Sequence, residues 1–557
     1  MQIQPTTASP APVFQVYWED PEEARLTWRH DRMHAPRPVT PLTGDLAARA
    51  FERGFNAAAA TFALPLRARF RSINTYAYQA VVPPPNSPEE LEHLQHQTQE
   101  RLMGTLARLL PLWQQEWLPE IQERLASWDR FDLAGASTEE LAAHLEDTER
   151  WYTRLWEIHF QLGIPFLLAP SLFEEMYSQL FRDREPLEAY RLIEGFDNKT
   201  VETERALWRL SRAALAKPHV VAAFATIPGA AVMEALETTT EGRQFLVMLC
   251  DYLAEYGERS NEFTEFANPS WIEDPTPVLD SLRHYLQQPE RDLDQEAASA
   301  TAERESLVAA ARQRLRDYPQ PVVEQFEFLL RAAQQASFLH CEHAFWIDQK
   351  GMYRVRRAIL EAGRRLAREG VLEQEGDVFF LRLDEIEDVL RSPVSGLRER
   401  IAGRRAEMER FAGVEPLPVV GAMPSGPPPD SPLHRAITKF IGGPPILTAE
   451  EGALNGYAGS PGVARGPARV LGSLAEAGKL RPGDILVAKT TAPPWTPLFS
   501  TAGGVVTDTG GVLSHCAVVA REYRIPAVVG TGTATSRIHD GQLLEVDGSR
   551  GIVRMIS

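Results

Sequence analysis

Cysteine is scarce in this chain. Three occur in 557 residues, at Cys250, Cys341 and Cys516. Three scattered thiols make no disulfide framework and no CxxC metal pair, so a reducing compartment is expected. No apolar run reaches the roughly 18 residues of a membrane-spanning helix. Met1 to Pro12 lacks the basic start and apolar core of a secretory signal, and the expected location is the cytoplasm. Positive charge is also short: 58 Lys and Arg stand against 76 Asp and Glu, a net charge of −18. Nucleic-acid binding needs a surplus of basic residues, so that class is excluded. The acidic excess is spread along helices and serves solubility. A GxxxxGK[ST] phosphate loop is missing, and so is any repeat of fixed period.

What is present is ordinary globular material, 44% hydrophobic and 24% charged. Domains usually run to about 100–200 residues, so two or three folded units are expected. Phe14 to Leu42 reads as an irregular lead-in with a short strand or two. From Ser87 to about Asp129 the leucines fall at helical spacing. Ser137 and Glu140 form a capping box, predicting a helix to about Leu162. Further helices are predicted near 173–180, 200–215, 241–256, 276–287, 291–316, 320–345 and 350–369. Strands and helices do not alternate here, which argues against a βα barrel. Trp18, Trp28, Trp151, Trp156 and Trp208 are expected to pack the core.

Between Gly413 and Pro432 the chain is rich in Pro and Gly and reads as a semi-rigid linker unable to pack. Beyond it, short apolar strands are predicted near 466–471, 484–488, 503–507, 526–529, 542–546 and 551–556. One helix interrupts them, from Ser514 to about Tyr523. The fold class is therefore multidomain, a mainly α-helical N-terminal part followed by a compact C-terminal α/β unit.

The segment Thr507 to Gly530 carries the chemistry. A strand enters a Gly510–Gly511 turn, Ser514 takes an N-cap position, and His515 lies in the first helical turn. Glycines allow close backbone approach. A helix start offers free N–H groups and the positive dipole end, which favours an anion. The same field biases a histidine towards its neutral, nucleophilic form. The layout suits capture of a phosphoryl group by imidazole. By position alone a cap or surface histidine has the same appearance.

This segment resembles the phosphohistidine motif of the swivelling domain in PEP-utilising enzymes: phosphoenolpyruvate synthases, pyruvate phosphate dikinases and rifampicin phosphotransferases. The resemblance runs from Gly456 to the C-terminus. It includes Gly459–Ser460–Pro461–Gly462, Pro482–Gly483–Asp484, Pro493, Trp495–Thr496–Pro497–Leu498–Phe499, Asp540–Gly541 and Asp547–Gly548. It implies that His515 is the phosphate carrier, with Thr509, Gly510, Gly511 and Ser514 forming its loop. Cys516 stands where the family often has Ala and is expected to pack.

Residues 14–390 are similar to the helical acceptor part of the rifampicin phosphotransferase type. The similarity rests on His34–Ala35–Pro36–Arg37–Pro38, Asn74–Thr75–Tyr76–Ala77–Tyr78, Tyr256–Gly257–Glu258–Arg259, Pro269–Ser270–Trp271, Glu342–His343 with Asp348, Arg356 to Leu366, and Gly376 to Leu381. It implies that Glu342 and His343 line an acceptor pocket as base or orienter; Arg259 and Arg356 are read there as clamps for the travelling phosphoryl group, with surface ion pairing the alternative. The expected domains are 1–412 helical acceptor, 413–450 linker and hinge, and 451–557 swivelling phosphohistidine domain. A shift of the swing to between Lys439 and Asn455 is the alternative hinge.

The resemblance also implies an ATP-grasp partner protein carrying ATP and Mg²⁺, as in the split phenylphosphate synthase, since the lead-in begins where such a domain would end. No tightly bound cofactor is expected. His340 and His343 resemble half a metal site, but no third and fourth ligands are apparent, so no metal is expected. Two readings stand: a phosphotransferase component acting on a small-molecule hydroxyl, or a non-catalytic phosphocarrier or scaffold whose phosphorylation controls partner binding. The acceptor's identity is not legible in the sequence.

Overall fold

The computed structural model describes residues 14–82, 87–260, 264–392, 394–424, 426, 430–444, 446, 452–492 and 495–556. Pro427, Pro428 and Pro429 of the proline-rich stretch, and Pro493, lie outside them.

The N-terminal part is mainly helical. The Ser137–Glu140 capping box opens the helix Thr138–Leu180. This helix does not stop near Leu162 but continues through Pro165 and Pro170. Each internal proline costs about 3 kcal/mol. Burial of Leu162, Ile164, Phe166, Leu168 and Phe173, at roughly 2 kcal/mol each, outweighs that. The predicted helix at 173–180 is thus its last stretch. Around it pack Pro41–Thr61, Gln320–His343 and Met352–Arg368. They share one core with Trp113, Trp117 and Trp156. Helices Lys199–Leu215, Thr240–Tyr256 and Thr276–Leu286 surround a second, smaller core that includes Trp208. Trp28 is fully buried, and Trp18 and Trp151 are partly so.

Strands β1 (Thr27–His30), β2 (Arg67–Ile73), β3 (Tyr76–Val82) and β4 (Val419–Gly421) form a small sheet in the order β2-β3-β1-β4. β4 corrects the linker expectation. It lies inside the proline-rich stretch yet pairs with β1, matching Trp28 with Val420. The segment packs because this edge of β1 offers it unpaired backbone groups. Helix Pro432–Ile441 then lies against the long helix. It is tied there by Arg435 to Glu175, and by Lys439 to Ser171, Glu174 and Glu175.

The C-terminal unit is an α/β domain around an eight-stranded sheet. Its strands are β5 (Ala453–Asn455), β6 (Tyr457–Ser460), β7 (Val463–Leu471), β8 (Ile485–Ala488), β9 (Gly504–Thr507), β10 (Ala527–Val529), β11 (Leu543–Asp547) and β12 (Ile552–Met555). The order is β5-β12-β11-β7-β8-β9-β10-β6, with β7 to β10 parallel. Every residue of β8 and β9 is buried, because both faces of the sheet are covered. One face packs on helix His515–Glu522 and on Trp495, Leu498 and Phe499; the other carries a core that includes Ile538, Leu544 and Val553. The loops after β8, β9 and β10 meet at one edge. There Asp508 N–H donates to the Ala488 carbonyl and Thr509 N–H to that of Lys489. Among the described residues no helix is long and apolar enough to cross a membrane.

Candidate active site

β9 delivers the chain to this edge. The turn that follows needs its glycines for two different reasons. Gly510 has φ +97°, a left-handed conformation that suits only glycine, and a Cβ there would come within 2.8 Å of Ser514 Oγ. Gly511 is required by close approach: a Cβ would stand 2.3 Å from the Lys439 carbonyl oxygen. That approach is a clasp between the two domains. Gly511 N–H donates to the Phe440 carbonyl and Leu513 N–H to that of Lys439, at the end of helix Pro432–Ile441. Thr509 Oγ1 donates to the Lys489 carbonyl at 3.1 Å.

Ser514 caps the helix, its Oγ accepting from Ala517 N–H at 3.4 Å. His515 follows, with Nε2 3.4 Å from Thr496 Oγ1. Burial pushes its imidazole down to about 3, and the charge of Arg259 pushes the same way. The ring is neutral near pH 7 and bears a free nitrogen lone pair, as a nucleophile requires. Cys516 is buried and its thiol is pushed up to about 12 by burial, so it stays protonated and packs.

Across the interface Arg259 is 1% exposed. Its Nη2 donates to Thr203 Oγ1 at 2.8 Å. Its Nε and Nη1 are buried and have no hydrogen-bond partner among the described residues. The guanidinium lies over the Trp271 and Phe345 rings, 5.6 Å from each centroid. A buried guanidinium without a paired carboxylate is costly, and an incoming anion removes that cost. Arg356 differs. Its Nε donates to both Glu273 oxygens, at 2.9 and 3.2 Å, and its Nη1 to the Phe266 carbonyl, so these two nitrogens are engaged within the helical domain. Glu342 accepts from Lys199 N–H at 2.9 Å at the start of helix Lys199–Leu215; burial pushes its carboxyl up, with the Lys199 contacts opposing.

His343 belongs to a buried cluster that sequence reasoning did not assemble. His159 on the long helix places Nδ1 3.1 Å from Asp348 Oδ1. His343 Nε2 lies 4.0 Å from Asp348 Oδ2. Burial brings His159 and His343 down to about 3 and Asp348 up to about 7. Burial brings His340 to about 3, and the charges of both His515 and His159 bear on it. His34 acts on Asp348 and His159 from the other side. Burial lowers His34, but its partner Asp31 at 3.0 Å more than offsets this. His34 and Asp31 line a small cavity of about 40 Å³ whose other walls include Val39, Ala47, Phe51 and Tyr78. The lead-in motif signalled His34 only as part of a resemblance, and nothing in sequence signalled His159.

The mobile unit is docked through further contacts. Arg521 pairs with Glu194 in a buried ion pair and also donates to the Gly459 and Val512 carbonyls, both at 2.8 Å. Arg524 pairs with Glu303 at 2.6 Å, and Arg291 donates to the Ser500 carbonyl at 2.8 Å.

Known proteins share both halves. Residues 480–551 match the PEP-utilising enzyme mobile domain, and residues 160–339 match the rifampicin phosphotransferase fourth domain. Chondramide synthase of Chondromyces crocatus is 41% identical over 556 residues, covering 98% of this chain and 14% of the relative. The uncharacterised phosphotransferase YvkC of Bacillus subtilis is 32% identical over 73% of this chain and 48% of its own length. A rifampicin phosphotransferase of Streptomyces sviceus is 30% identical over 64% of this chain and 40% of its own length. The chain thus spans about half or less of these relatives. By its matches and its fold, it joins a rifampicin phosphotransferase fourth domain to the mobile domain of the PEP-utilising enzymes, with His515 inside that mobile domain.

Proposed function

We propose that this chain is a phosphotransferase component in which His515 accepts a phosphoryl group and passes it to a hydroxyl of a small molecule held by the helical domain. The observation that carries the reading is a neutral, buried His515 that feels the charge of Arg259, a buried cation with two donor nitrogens lacking a hydrogen-bond partner among the described residues. A phosphoryl group on imidazole brings negative charge to a place that lacks it. The phosphoramidate splits one difficult transfer into two easier ones. The source of the phosphoryl group is ATP bound with Mg²⁺ on an ATP-grasp protein. Two distant half-reactions require the mobile domain to leave the docked pose and return. A similar unit occurs inside a much longer chain named chondramide synthase, which supports work alongside other catalytic parts.

The test is incubation with an ATP-grasp partner and labelled ATP, followed by a panel of hydroxylated metabolites. Acid-labile, base-stable label on His515 is expected, absent in His515→Ala and discharged by the true acceptor. Label that survives in His515→Ala, or that sits on serine, refutes the assignment.

A further inference from the structure

We propose that His159, His343 and Asp348 form a binding site for one divalent transition-metal ion, of which Zn²⁺ is the type. The expectation of no metal rested on the lack of partners for His343 in sequence. The fold supplies them from three segments: the long helix, the end of helix Gln320–His343, and the π-helical stretch Ala344–Gly351. Their ligand atoms all lie within 4.8 Å of one another.

Three features make this arrangement a ligand set. The first is the π-helix. On a regular α-helix of 3.6 residues per turn, positions five apart diverge around the axis. The wider turn brings His343 and Asp348 onto one side, and such turns concentrate at functional sites. The second is the tautomer of His343. Its Nδ1–H donates to the Leu339 carbonyl at 2.9 Å, which leaves the lone pair on Nε2, facing Asp348. A backbone carbonyl behind the ring is how metal-bound imidazoles are commonly oriented. The 4.0 Å from Nε2 to Asp348 Oδ2 is too long for a hydrogen bond. Two ligands that share an ion with bonds of about 2.1 Å sit roughly 3.4 Å apart, so a small contraction closes the site. The third is charge. The Asp348 side chain is 2% exposed, and among the described residues its ion-pair partners are two imidazoles, His159 Nδ1 at 3.1 Å and His343 Nε2 at 4.0 Å, with no lysine or arginine. Buried carboxylates are paired or coordinate metals.

Two imidazoles and one carboxylate are borderline ligands that suit zinc and its first-row neighbours better than Mg²⁺. Three protein ligands leave a position for an oxygen ligand, as at catalytic rather than structural zinc sites. That the oxygen is the acceptor hydroxyl rests on the proposed function; the binding of the ion does not.

The experiment uses the full, tag-free chain, stripped with chelator. Zn²⁺ is titrated by calorimetry and Co²⁺ by visible absorption. One equivalent with micromolar or tighter affinity is expected. Asp348→Asn, which keeps the side chain's shape, and His159→Gln are each expected to weaken binding at least tenfold. X-ray absorption of the Zn²⁺-loaded wild-type chain should show two imidazoles and no sulfur, a readout that depends on no variant. Absence of a stoichiometric site overturns the proposal, as does a sulfur-bearing shell or wild-type affinity in both variants. None of these results bears on phosphorylation of His515, so the two proposals fail separately.

Discussion

Glu194→Gln is expected to loosen the docked pose of the mobile domain. Glu194 belongs to the helical domain, and Arg521 reaches it from the helix that begins at His515. The side chains are 9% and 2% exposed, so the pair is desolvated when docked. Removing one partner of a buried pair costs about 3–5 kcal/mol, because the other charge stays buried without compensation. Burial pushes the Glu194 carboxyl up, more than Arg521 and Arg191 pull it down, so its charge is already weakened and the low end applies. A cost of about 3 kcal/mol is on the order of a 100-fold shift towards the undocked state, at 1.4 kcal/mol per factor of ten. Arg521 keeps its bonds to the Gly459 and Val512 carbonyls, so the mobile domain itself should stay folded. The assay is energy transfer between dyes on the two domains, together with single-turnover rates of each half-reaction. Transfer to acceptor should slow, while phosphorylation by the ATP-grasp partner is unchanged or faster. Arg524→Ala is the control. It removes a largely exposed pair with Glu303, and such pairs are worth about 0–1 kcal/mol. If Glu194→Gln leaves dye separation and both rates within twofold of wild type, the buried pair does not hold the docked state and the reasoning fails.

Two further outcomes follow from the buried groups. Arg259→Met should stabilise the chain by roughly 1–3 kcal/mol in urea unfolding, since it removes a buried charge lacking a carboxylate partner, yet slow discharge of phosphohistidine at least 100-fold; a destabilised variant with unchanged discharge would mean that the guanidinium serves structure alone. His284 is buried, and burial brings it down to about 4 from the usual 6.5. Its contribution is fully present above pH 6.5 and is lost as pH falls towards 4, because only the unfolded state takes up the proton in that window. The loss approaches about 3 kcal/mol at the bottom of the window. His284→Leu should therefore flatten the decline in stability between pH 7 and 4.5, measured by urea unfolding at a series of pH values.

Local chemistry made part of this protein legible from sequence. Short apolar runs bounded by Gly and Pro place β7 to β12 within a few residues of where they are found; β8, β9 and β10 are buried on both faces, and such a strand admits little but apolar residues. The capping box at Ser137 and the N-cap at Ser514 are read from adjacent residues, and both are formed. The Gly510–Gly511–Ser514–His515 pattern identifies its helix start for the same reason: every determinant lies within one turn. Features set by distant surfaces were not legible. The long helix runs past two prolines only because other helices bury its flanks. Val419–Gly421 of the proline-rich stretch pairs because β1 presents a free edge. Arg259 becomes a buried cation, with the charge of Glu204 bearing on it, only once Trp271 and Phe345 enclose it. Asp348 meets His343 only because the helix widens into a π-turn, and His159 comes from a helix more than a hundred positions away. Sequence spacing encodes neighbours along one regular element; the buried groups around Arg259 and Asp348 are assembled across several, and only tertiary packing decides which side chains share them.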